Sequence, residues 1–149
     1  MNKKGQAAME FLMTYGWAIL VVLVAIGALA YFGVLSPDKF LPEKCVISSG
    51  SGLFCANFNV ATASDDIVLL IKNSLSDPVT ITGGGSTLGT LCTQDAGDVA
   101  IAADADASVT FSCAGGIASG DKIKEDVSIS YTVGTFAKTT SGSLIAKAP

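Results

Sequence analysis

From Phe11 to Leu35 the chain reads FLMTYGWAILVVLVAIGALAYFGVL, 25 residues without a charge, and beyond Pro37 the pattern changes to apolar runs of four to eight residues between Gly, Ser, Asp and Pro. The first pattern predicts one helix. At about 1.5 Å per residue such a helix spans the roughly 30 Å of a hydrocarbon core. Residues 17 to 35 are apolar all round, as expected of a helix buried first in lipid and then among copies of itself. Ser36 and Pro37 are expected to end it, because proline cannot continue the backbone ladder and disfavours helical angles in the residue before it.

The second pattern predicts short strands. VSISYTV, residues 127 to 133, alternates strictly and should turn Val127, Ile129, Tyr131 and Val133 inward. Phe54, Ala56, Phe58 and Val60 alternate in the same way. DIVLLIKN, residues 66 to 73, is apolar on both faces and suits a central strand, and Ser76-Asp77-Pro78 turns the chain into VTIT. Further strands are expected at 88–92, 98–102, 107–113, 135–139 and 143–147. No helical period of useful length follows residue 36. The expected fold is α+β: a long N-terminal hydrophobic helix, then an antiparallel β-sandwich, immunoglobulin-like in architecture.

With 149 residues, 50% apolar and 15% charged, the chain holds one packed domain besides the helix, and the mean hydropathy of +0.54 comes mostly from that helix. It has no His and no Arg. The Ser/His/Asp and Cys/His arrangements, the commonest general base near neutral pH and the usual nitrogen ligand of zinc are therefore missing, which argues against an enzyme. Residues 1 to 35 carry Lys3, Lys4 and Glu10, and the remainder carries seven Lys against twelve Asp and Glu, making a net charge of −4 overall. An acidic head without guanidinium groups is not the footprint of a nucleic-acid binder.

Length alone makes the hydrophobic segment a single-pass anchor, with Lys3 and Lys4 on the cytoplasmic side. A cleaved secretory signal would use Ala28-Leu29-Ala30, but the apolar run is too long for one. Neither reading explains the junction KKGQAAMEF, residues 3 to 11, where one carboxylate, Glu10, stands at the lip of an apolar helix and would be costly to bury unpaired. This junction resembles the class III signal of archaeal type IV pilins: the basic Lys3 and Lys4, Gly5 before the cut, Gln6 as the new N-terminus, Glu10 fifth from it, then the aromatic Phe11.

The resemblance implies that residues 1–5 are a signal peptide removed by a prepilin peptidase, that 6–36 form the transmembrane and filament-core helix, and that 37–149 form an extracellular head. It implies a homo-polymer, a helical filament at the cell surface used for adhesion or attachment, drawn from single-pass subunits stored in the membrane. The partners would be the peptidase, a pilus assembly ATPase and a polytopic membrane platform protein. Glu10 would meet the new amino terminus at Gln6, or, if Gln6 cyclises, Thr14, Tyr15 or a neighbour's backbone. An archaellin-type motility subunit shares the signal and the general plan, and a monomeric membrane-anchored binding domain is the alternative from another class.

Cys45, Cys55, Cys92 and Cys113 all lie in the head, where disulfides persist. Three pairings are open. Cys45 with Cys55 and Cys92 with Cys113 are favoured because each pair brackets a Gly- and Ser- or Asp-rich excursion between strands. No CxxC is present, so a zinc site is not expected. Asp95, Asp98, Asp104 and Asp106 offer oxygen ligands for calcium but match no EF-hand spacing, so a solvated loop is preferred and no metal or other cofactor is expected. Gly83-Gly84-Gly85 lacks the Lys of a phosphate loop and reads as a turn. There is no Asn-x-Ser/Thr sequon.

Overall fold

A computed structural model of the chain describes residues 3–33 and 42–149, which fall into two compact units, a helix and a β head. The helix, α1, runs Lys3–Tyr31 and has no buried residue. It begins in the basic residues, so the Gly5–Gln6 bond lies inside its first turns. Its regular part stops at Tyr31: Phe32 N–H still donates to Ala28 O at 3.0 Å, but Gly33 N–H reaches back only to Ala30 O, at 3.1 Å. Gly33 has φ 67°, the left-handed conformation that closes many helices and that glycine adopts without Cβ strain. Ser36 and Pro37, the stops expected from sequence, lie outside the described residues.

The head is all antiparallel. Its strands are β1 (Lys44–Ile47), β2 (Leu53–Ala61), β3 (Asp66–Asn73), β4 (Val79–Ile81), β5 (Thr87–Leu88), β6 (Cys92–Gln94), β7 (Val99–Ile101), β8 (Asp106–Cys113), β9 (Lys122–Val133) and β10 (Phe136–Lys147). One hydrogen-bonded path runs β1-β10-β9-β5-β6-β8-β3-β2, and β4 joins β7 to β9 beside it. The two ends of the path meet, since β1 lies against β2 and the Cys45–Cys55 disulfide crosses between them with a Cα–Cα distance of 5.7 Å. The sheet therefore approaches a barrel, and the strand order does not divide it into the two layers expected above.

Alternation explains most of the interior. Val127, Ile129 and Tyr131 of β9 are buried, and Ile67, Leu69 and Ile71 of β3 join them with Phe111 of β8 in one core. The pattern fails in β2, where Phe54 is 42% exposed and Leu53 is buried. The cause is a bulge: Cys55 pairs with Ile71 and Asn57 with Leu70, so Ala56 has no partner of its own. One extra residue reverses the facing of everything before it.

Two other expectations change. Residues 88–92 are not one strand, because β5 stops at Leu88 and β6 starts at Cys92, with a turn between. The strands expected at 135–139 and 143–147 are one, since β10 stays in register with β9 from Phe136↔Val133 to Lys147↔Lys122. Gly142 lies within this long strand because a Cβ there would collide with the Val46 carbonyl oxygen of β1. The turn after β3 is held by the fully buried Asn73, whose side-chain amide donates to Asp77 O at 2.9 Å and Ala102 O at 3.1 Å while its Oδ1 accepts from Leu75 N–H at 2.9 Å.

Candidate assembly site

The residues singled out at the N-terminus all sit on α1. Lys3, Lys4, Gly5 and Gln6 occupy its first turns and are exposed. A Cβ at Gly5 would meet no atom within 4 Å, and its φ is not positive. A glycine inside a helix costs up to about 1 kcal/mol relative to alanine. Gly16 and Gly27 farther along α1 are equally unconstrained, so what sets Gly5 apart is its place between the lysines and Gln6.

Glu10 lies a little more than one turn beyond Gln6, at the four-residue spacing that brings side chains together on one helix face. The Thr14 hydroxyl donates to the Glu10 backbone carbonyl at 2.8 Å, so that hydroxyl is directed to the backbone and not to the carboxylate. The Tyr15 ring leans on Phe11 with centroids 4.9 Å apart. Glu10 is exposed on the helix. Beyond it Trp17 and Val24 are each 69% exposed, and Leu20, Val21 and Leu23 are also exposed. This one helix is long and apolar enough to cross a membrane.

The disulfides differ in their setting. Cys92 and Cys113 are register partners in β6 and β8, joining strands already hydrogen-bonded to each other. Cys45–Cys55 instead ties the two ends of the sheet where no ladder connects them. No described cysteine is free. Two disulfides after an apolar helix fit a domain held outside the membrane.

The acidic residues between Cys92 and Cys113 do not converge. Asp98 Oδ1 accepts from Gly83 N–H at 2.8 Å, Asp95 Oδ1 accepts from Ser112 Oγ at 2.8 Å, Asp104 adopts φ 58°, and Asp106 opens β8 opposite Lys72. Among the described residues no group of three His, Cys, Asp or Glu is placed to hold a metal ion. Gly83-Gly84-Gly85 forms the turn between β4 and β5. A groove of about 470 Å³ runs between Phe58–Val60 of β2 and the end of β10, where Lys147 N–H donates to Glu43 Oε1 at 3.2 Å. Nothing in it pairs a nucleophile with a base. Sequence reasoning did not single out the seam between β1 and β2, because β1 is only four residues long and its pattern is too short to read. Compared with known proteins, the chain matches no family model and no curated sequence.

Proposed function

We propose that this chain is a structural subunit, a pilin, of an archaeal type IV-like filament used for adhesion or surface attachment, with assembly rather than catalysis as its function. The observation that carries the reading is the junction KKGQAAMEF: two lysines, a glycine, Gln6 and a single carboxylate stand in that order and continue without a break into a helix that buries no side chain. A helix this apolar persists in water only if something covers it. At about 25 cal/mol per Å² of apolar surface, covering it with copies of itself is the dominant force for polymerisation, and lipid covers it until then. In this reading the head is an outer domain of sandwich-like, immunoglobulin-like character, its long walls bridged by the short β5 and β6.

The partners follow from the class III signal that the junction resembles: a prepilin peptidase cutting between Gly5 and Gln6, an assembly ATPase and a membrane platform protein. Electron microscopy of filaments sheared from cells, with mass spectrometry of their subunit, tests the reading. The expected result is a filament built of this chain starting at Gln6. A mature N-terminus at Tyr31, after Ala28-Leu29-Ala30, would overturn it, and an uncut chain found only as membrane-bound monomer would favour an anchored binding domain.

A further inference from the structure

Lysines on the head gather in one place. Of the six lysines between residues 42 and 149, five are exposed on β1, β9 and β10, and four of these (Lys44, Lys122, Lys124 and Lys147) gather at one end of that wall while Lys138 stands at the other. The register aligns them: Lys44 lies opposite Ile145, Ile145 opposite Lys124, and Lys147 opposite Lys122. Leu144 and Ala146 of β10 point into the core, so Ile145 and Lys147 point out. With strands about 4.8 Å apart, Lys44 and Lys124 stand roughly 10 Å apart on either side of a half-buried isoleucine. Asp126 shares this wall, and Glu43 stands at its end with Oε1 accepting from Lys147 N–H, while the neighbouring Glu125 directs its carboxylate against Gly89. On an acidic protein this is an unexpected concentration of positive charge.

The wall made by β3, β8 and β6 carries the opposite arrangement at one end, the other end holding Lys72 opposite Asp106. Asp66 of β3 pairs with Ser112 of β8, which pairs with Thr93 of β6, and Asp95 follows two residues later. The Ser112 hydroxyl lies 2.9 Å from Asp66 Oδ1 and 2.8 Å from Asp95 Oδ1. One hydroxyl has one proton, so it can satisfy only one of these carboxylates at a time. Two carboxylates are thus crowded around β8, and half-buried Val68 follows two residues after Asp66 on the same outward face.

We propose that these two walls are the two halves of a contact between heads, the lysine wall of one copy docking on the Asp66–Asp95 wall of the next. The complementarity is one of sign and of layout: two cations flanking an apolar residue across β1-β10-β9, and two carboxylates beside an apolar residue across β3-β8-β6. Because the two surfaces differ and lie on different walls, the contact is heterologous and repeats from copy to copy without closing a pair. The contact refines the filament reading and rests on it for the repetition. A rim of this kind sets partner choice and register more than raw affinity, the helices supplying most of the burial.

The test uses the full chain in native membranes and zero-length carbodiimide cross-linking, which joins a lysine to a carboxylate only when they touch. Wild type should give a covalent dimer whose linked peptides join Lys44 or Lys124 to Asp66 or Asp95. The double reversal Lys44→Glu with Lys124→Glu should abolish that dimer, and Asp95→Lys should reduce it. The three changes together should restore links from position 95 to position 44 or 124, with amine and carboxylate exchanged between the walls. Dimers linked only through other residues, or a charge swap that fails to restore them, would overturn the contact. So would dimers unchanged in the reversed variant, or lysine variants that lose only binding to anionic vesicles, which would make lipid the occupant. Loss of filaments from wild-type cells would instead defeat the filament reading while leaving the cross-linked dimer to report on the contact itself.

Discussion

Replacing Cys45 and Cys55 together by alanine should open the seam of the sheet as well as destabilise the head. The bridge spans a sequence separation of 10, and in the chain-entropy account a loop of that length restricts the unfolded chain enough to contribute about 2.7 kcal/mol at 25 °C. Cys92–Cys113 spans 21 residues and by the same relation contributes about 3.3 kcal/mol. Entropy alone therefore ranks the second bridge higher. Position reverses the local consequence: β6 and β8 remain laddered without their bridge, whereas β1 and β2 have no ladder between them. Thermal unfolding of the full chain in detergent, followed by the circular dichroism of the β head, should show the Cys45/Cys55 variant melting roughly 10 °C lower, at about 4 °C per kcal/mol. Hydrogen exchange at β1 amides bonded to β10 should accelerate about a hundredfold in that variant but much less in the Cys92/Cys113 variant. Equal acceleration at β1 in both variants would refute the seam argument, and a loss of stability below about 1 kcal/mol would refute the entropic magnitude.

Gly5→Val should leave a membrane-bound precursor that still carries residues 1–5, read as the intact mass of the subunit, because the substitution meets no atom within the fold and so perturbs only recognition. Glu10→Val should insert into the membrane normally but give fewer sheared filaments, since a carboxylate taken among apolar helices selects the neighbour that can pair with it; wild-type filament yield would remove Glu10 from assembly. Phe111→Ala, at a fully buried position in the centre of β8, should cost about 3–5 kcal/mol in denaturant unfolding. Gly142→Ala should free β1 from β10, since the new methyl would meet the Val46 carbonyl, and exchange protection at Val46 and Ile47 should fall before global stability does.

What could be read from the sequence was whatever depends on neighbours a few residues apart. The helix followed from an uninterrupted apolar run, and the facing of β9 from the alternation of Val127, Ile129 and Tyr131. β2 shows where local reading fails: Phe54, Ala56, Phe58 and Val60 alternate as neatly as β9, yet the bulge at Ala56 puts Leu53 inside and Phe54 outside. Nothing in LFCANFNV announces a bulge, because it is fixed by the pairing of Leu53 with Asn73 at one end and Ala61 with Asp66 at the other. The meeting of β1 with β2 is likewise non-local. Its one sequence signal was the pair of cysteines ten residues apart, legible as a bracketed loop but not as the clasp of a nearly closed sheet.

The site divides along the same line. The proposed processing signal of Lys3, Lys4, Gly5, Gln6, Glu10 and Phe11 is linear, since a peptidase at the membrane surface would read residues in order along the chain, and the fold assembles no part of it. The lysine wall was not readable, since Lys44, Lys124 and Lys147 come together only after β10 has paired with both β1 and β9. A subunit that polymerises keeps half of every contact on another molecule, and the folded chain alone shows such a site only as unmet demand. In the proposed filament the demands would be an apolar helix with no buried residue, a carboxylate at its lip, and the lysine and carboxylate clusters of the head. Only the apolar helix is costly to leave in water, and repeated copies of one chain would cover it while bringing the carboxylate and the charged clusters to partners. An anchored monomer would need lipid for the helix and would leave both the carboxylate and the charged walls without a use.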